Sequence, residues 1–160
     1  MNQNQQFVST VLATWKLVID RANKSFDASS DEDLQREIAP GKNRVYYLLG
    51  HLVAVHDLML PLLRVGDRLH PELDDEFLAN PDRTFPDREL KPAELRKAWT
   101  EVNTKLLAAI ETLTPDQWLE RHASVSEEDF AKEPHRNRLS VLLSRTTHVA
   151  YHHGQIRLVK

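Results

Sequence analysis

The chain's 160 residues, 41% of them hydrophobic, suffice for one domain with a core of its own, expected to span 1–160. There is no cysteine, which excludes disulfides, thiolate metal ligands and a cysteine nucleophile, so thiol chemistry would need a thiol from outside. A formal net charge of −3 with acids and bases interspersed argues against nucleic-acid or anionic-membrane partners, and without a secretion-type start or an apolar run of ~20 residues the expectation is a cytoplasmic protein.

Apolar spacing predicts four long helices. Helix one runs from Gln5 to Ala22, with Phe7, Val8, Val11, Leu12, Trp15, Leu17, Val18 and Ile19 on a broad apolar side. From Asp27 to Lys42 a short helical turn is expected after Ser29, Ser30 and Asp31, before a Pro40-Gly41 break. Helix two covers Asn43 to Val65, with Asn43 as N-cap and Pro61 kinking or shortening its end. Gly66 to Lys91 carries Pro71, Pro81 and Pro86 among charges, with no sustained period outside Leu73 to Leu78. A connection of this length can cross a bundle and let helices two and three run parallel. Helix three spans Pro92 to Leu113 with the stripe Leu95, Trp99, Val102, Leu106, Ile110 and Leu113, and Thr114-Pro115-Asp116 starts another short turn carrying Trp118. The polar stretch from Ser124 to Asn137 reads as a connection, and helix four runs from Arg138 to Leu158. No repeat or strand-type alternation appears, so the economical fold is all-α, a single four-helix bundle.

The eight histidines are unevenly placed. His70, His122 and His135 fall in connections beside proline or charge and are expected in solvent. His51 and His56 lie on helix two, and His148, His152 and His153 on helix four. Helical residues four apart share a face about 5–6 Å apart, so His148 and His152 can close on one metal ion, while His153 points ~100° away from His152. A third ligand must come from elsewhere, and His51 in Leu48-Leu49-Gly50-His51-Leu52 is best placed. The stripe of helix four passes through Leu142, Val149 and Ile156, with His153 near its middle and the His148/His152 pair at one edge. Helix two repeats this, with His56 near the stripe of Leu49, Leu52 and Met59 and His51 to one side. Three neutral imidazoles suit zinc, nickel, copper or iron and leave a position for water or substrate. Spacing alone leaves a blander reading open, in which His148 and His152 are ordinary polar residues of a partly exposed face and His51 donates to a backbone carbonyl.

The order of these features resembles the DinB-like superfamily: a histidine in the middle of helix two, a long crossover, then a last helix ending His148-x-x-x-His152-His153-Gly154-Gln155-Ile156. That family comprises damage-inducible four-helix bundles, includes bacillithiol transferases and is related to mycothiol-dependent enzymes. The resemblance covers nearly the whole chain. It implies an up-down-down-up bundle with a long crossover between helices two and three, a homodimer, and one divalent metal, zinc or nickel foremost, held by His51, His148 and His152. Gln155, three positions after His152, either orients a ligand or serves as a capping or surface residue. Gly154 would let another backbone approach closely. Tyr47 and Ser144, one turn before His51 and His148, either fix a ring tautomer or simply pack or meet solvent.

A metal on three histidines can lower the pKa of bound water towards ~7 or hold a thiol as thiolate. No HExxH marks a metallopeptidase and no Glu-x-x-His pairs mark a di-iron oxidase, and no acid or base stands out. The thiol-transferase branch of the family therefore implies a low-molecular-weight thiol attacking a small electrophile held between the helices, without nucleic-acid or membrane partners. The alternative is a non-catalytic metal- or ligand-binding stress-response bundle acting as a dimer, in which Trp15 and Leu60 supply either a dimer face or core. A third reading is a purely structural bundle whose ligands have drifted.

Overall fold

Helix α1 spans Gln3–Ala28 in the computed structural model, which describes residues 2–84 and 90–159; Pro86 lies outside them. Asn2 caps α1 reciprocally, its side chain accepting from the Gln5 N–H while Gln5 Oε1 accepts from the Asn2 N–H. Val8, Trp15 and Ala22, at seven-residue intervals, bury one face. The helix continues past the predicted end at Ala22 because Phe26 packs edge-on against Trp99, and Arg96 donates to the carbonyls of Phe26 and Ser29 at the helix end. The expected short turn is α2, Asp31–Leu34, capped by Ser30.

Helix α3 spans Val45–Leu62 and begins after Arg44, not at Asn43. The Asp82 carboxylate accepts the Arg44 N–H at 2.8 Å and also holds its guanidinium at 2.6 Å, so the start of α3 is satisfied from the crossover. By length and composition α3 could cross a membrane, yet 72% of it is buried inside the protein, as a core helix is. Pro61 does shorten it. Arg64 turns left-handed (φ 56°), the Val65 N–H returns to the Leu60 carbonyl, and the helix ends at Leu62 instead of Val65.

The buried Asp57 carboxylate ties down the start of the crossover, accepting the N–H groups of Leu69 and His70 and Nε–H of Arg68. The apolar period at Leu73 to Leu78 becomes a 3-10 turn, Pro71–Leu73, and a π-helical turn, Asp75–Ala79. Phe77 from the π turn is fully buried against Gly50, where a Cβ would lie 2.2 Å from its ring. Only glycine admits Phe77 there.

Helix α4, Pro92–Ile110, buries the predicted Leu95, Trp99, Val102, Leu106 and Ile110, while Leu113 packs from the turn that follows. The turn carrying buried Trp118 is α5, Pro115–Trp118. In the stretch expected as connection lies α6, Glu127–Lys132. It buries no residue and so has no apolar period; a Ser126 cap, three acids in its first turn and Lys132 in its last support it instead. Helix α7, Arg138–Arg157, is capped by Asn137 and buries Leu142, Val149 and Ile156 as predicted.

The described residues are all-α, without a strand; only the isolated bridges Glu37–Arg44 and Arg121–Asn137 occur. Helix α3 packs chiefly on α4 and α1 on α7, and one core runs through all four long helices. Trp15 and Leu60, weighed as dimer-face residues, both belong to that core. Where α3 meets α7, His51 faces His148.

Candidate metal centre

Three of the eight histidines converge. His51 from α3, and His148 and His152 one turn apart on α7, each bring a ring nitrogen within 4.8 Å of the others. His148 Nε2 lies 3.2 Å from His51 Nε2 and 3.0 Å from His152 Nε2. Tetrahedral metal–nitrogen bonds of about 2.0–2.1 Å would space neighbouring ligand atoms about 3.3 Å apart. The rings meet edge to face, at 71°, 77° and 84°.

The far side of each ring decides what points inward. His51 Nδ1 donates to the Phe77 carbonyl at 3.0 Å, because a carbonyl can only accept, so its Nε2 carries a lone pair. His152 Nδ1 donates to Gln155 Oε1 at 2.8 Å, with the same result. Both lone pairs face His148 Nε2, which can offer at most one hydrogen. His148 Nδ1 is itself buried without a partner among the described residues. Lone pairs turned on one point make a poor hydrogen-bonded core and a good cation site.

The electrostatics agree with this geometry. Burial, then the neighbouring His152, His51 and Arg145, pull His148 down to about 4. Burial also lowers His152, opposed by its bond to Gln155 and aided by His51. The neutral form that a ligand must have is thus favoured. No carboxylate bonds to the three rings among the described residues.

The sequence profile of the DinB superfamily matches residues 14–156. The chain belongs to the DinB superfamily. No curated protein matches it.

In this DinB chain the other histidines face elsewhere. His153 bonds Ser25 Oγ of α1 at 2.8 Å, as its direction on the helix required. His56 is fully buried between Trp15 and Trp99, its Nδ1 donating to Asn103 Oδ1 at 2.8 Å. His135 is exposed, as expected. His70, half-buried, meets Glu72 and Glu101, and His122 is half-buried with its Nδ1 enclosed, because the connection after α5 folds onto α3 through the Ala123 N–H and the Leu62 carbonyl.

The supporting residues divide in the same way. Gln155 orients His152. Tyr47 stacks on His51 at 6.4 Å and 10°, but its hydroxyl donates to the Asn80 carbonyl, so it braces the ring face and does not set the tautomer. Ser144 is exposed and makes no bond to His148. Nothing lies within 4 Å of a Cβ at Gly154, so the close backbone approach expected there does not occur. Sequence reasoning missed the Phe77 carbonyl and the Gly50 clearance that admits it. The available signal was the lone glycine inside a helix of large residues, which costs about 1 kcal/mol against alanine and so asks for a packing reason.

Proposed function

We propose that this DinB protein is a divalent-metal-dependent transferase that joins a low-molecular-weight thiol to a small electrophile, with His51, His148 and His152 as ligands and zinc or nickel as the metal. One observation carries the reading: Nε2 of His51 and His152 are turned inward onto His148 by acceptors behind both rings. A divalent ion there supplies Lewis acidity that lowers the pKa of a thiol or water. The chain's own residues hold and orient. The Phe77 carbonyl and Gln155 keep Nδ1 of His51 and His152 protonated, Tyr47 braces His51, and Tyr151 lies against His152 with ring centroids 5.1 Å apart.

With no cysteine in the chain, the nucleophilic sulfur arrives with the cosubstrate. A sulfur–carbon bond forms at the electrophile, the thiol proton passes to solvent and the leaving group departs with its bonding pair. On this reading α1, α3, α4 and α7 are the up-down-down-up four-helix bundle of a single domain, working as a cytoplasmic homodimer.

The test is conjugation. Metal-loaded protein is incubated with a panel of low-molecular-weight thiols and electrophilic acceptors, and products are read by mass spectrometry. Thiol-dependent conjugate that falls to background in His148→Ala is the expected result. No conjugate from fully loaded protein, or conjugation indifferent to that substitution, would leave a non-catalytic metal-binding bundle.

A further inference from the structure

A cavity of about 360 Å³ opens one turn along α7 from the triad. Its wall is Leu62 at the end of α3, His122 and Ser124 from the connection after α5, and Ser140, Ser144 and Arg145 from α7. The Ala123 N–H, bonded to the Leu62 carbonyl at 2.9 Å, holds that connection in place.

Two groups in this wall lack what burial demands. Arg145 Nε and His122 Nδ1 are both buried without a hydrogen-bond partner among the described residues. Neighbouring arginines have carboxylates: Arg138 pairs with Glu120, Arg136 with Glu133 and Arg121 with Glu127. Arg145 pairs with none among the described residues, and burial is the one influence on its guanidinium, pulling it below the ordinary range. A half-desolvated cation with no counter-charge is costly, and an anion relieves the cost. The charge of Arg145 reaches both His148 and His56, and those of Arg136 and Arg64 reach His122, so the region is electropositive.

We propose that this cavity is an anion subsite, taking a carboxylate or phosphate group of the small molecule whose reacting atom sits at the triad. Arg145 gives charge-assisted hydrogen bonds from its terminal amino groups, His122 closes the wall beside it, and Ser124 and Ser144 bring hydroxyls, whereas the Ser140 hydroxyl already donates to the Asn137 carbonyl. Arg145 precedes His148 by three residues on α7, a rise of about 4.5 Å, which puts the cavity's cation within one helical turn of the triad. The link to a reacting atom rests on the proposed metal-dependent transfer; the anion site itself does not.

The experiment titrates inorganic phosphate, and separately succinate, into the metal-free, nitrogen-15-labelled full chain at constant ionic strength, following the backbone amide resonances of Ala123, Ser124 and Ser144 in every variant and the Nε–Hε resonance of Arg145 where that arginine is present. The expected result is a saturable shift with at least one anion, with affinity at least about tenfold weaker in Arg145→Met and partly kept in Arg145→Lys. Saturation by phosphate alone assigns a phosphate ester, and by succinate alone a carboxylate. A shift that never saturates, or equal affinity in Arg145→Met, overturns the site. If Arg145→Met does not fold, the wild-type resonance and the His122→Ala variant decide the same question. Because no metal is present, failure of metal binding elsewhere leaves this result intact, and failure here leaves the triad untouched.

Discussion

An imidazole has two nitrogens, and the one facing away sets what the other can do. At the triad this work falls to the Phe77 carbonyl behind His51 and to Gln155 behind His152. Gln155→Ala removes the acceptor, so zinc affinity measured by chelator competition should fall about 10–100-fold, with Gln155→Glu retaining it. Unchanged affinity in Gln155→Ala would show that Gln155 does not orient the ring. That His148 and His152 share a face and His153 turns away was legible from the 3.6-residue period, whereas His51, on another helix, was the best-placed third candidate and joined them through the family resemblance. Gln155 was half legible, since its spacing gave proximity but not its partner. The Phe77 carbonyl was not legible at all, because it lies 26 residues from His51 and comes from a π-helical turn, a backbone geometry that the apolar spacing at Leu73 to Leu78 does not specify.

Between elements, Gly50 is the contact on which the triad's geometry depends. On helix propensity alone Gly50→Ala should stabilise α3 by about 1 kcal/mol. The Phe77 ring, 2.2 Å from the new Cβ, predicts the opposite: a loss of about 1–3 kcal/mol in denaturant unfolding, with weaker zinc binding as the Phe77 carbonyl shifts off His51. A Gly50→Ala protein as stable as wild type would mean the π turn yields freely and does not position His51. The same contrast separates what apolar spacing disclosed from what it hid. The long helices α1, α3, α4 and α7 carry buried stripes and were legible to within a turn, except at the end of α1, where Arg96 and Trp99 extend it from another helix. Helix α6 buries nothing, so only its cap and acidic first turn could have disclosed it. The start of α3 was misplaced because its N-cap, Arg44, is held by Asp82, far along the chain.

Over the whole molecule, burying a neutral imidazole makes stability depend on pH. Burial pushes His56 down to about 3, against 6.5 for an ordinary histidine. Between those values the unfolded chain takes up a proton that the native state refuses. The stabilisation is therefore complete above 6.5 and is lost as pH falls towards 3, by about 1.4 kcal/mol per pH unit. Urea unfolding of metal-free protein from about pH 4.5 to 7 should show this slope, steepened by His148, and His56→Gln should flatten it. An equal slope in the variant would place the acid sensitivity elsewhere. The all-α class and the one core joining its long helices followed from spacing, while the anion cavity did not, because His122 and Arg145 meet only when the connection after α5 folds onto α3.

Whether three histidines hold a metal is decided by elemental mass spectrometry of untagged protein purified without chelators. About one divalent ion per chain is expected, retained in His153→Ala and lost in His51→Ala, His148→Ala and His152→Ala. No bound ion after incubation with zinc and nickel, or a His153→Ala protein as empty as His148→Ala, would contradict it.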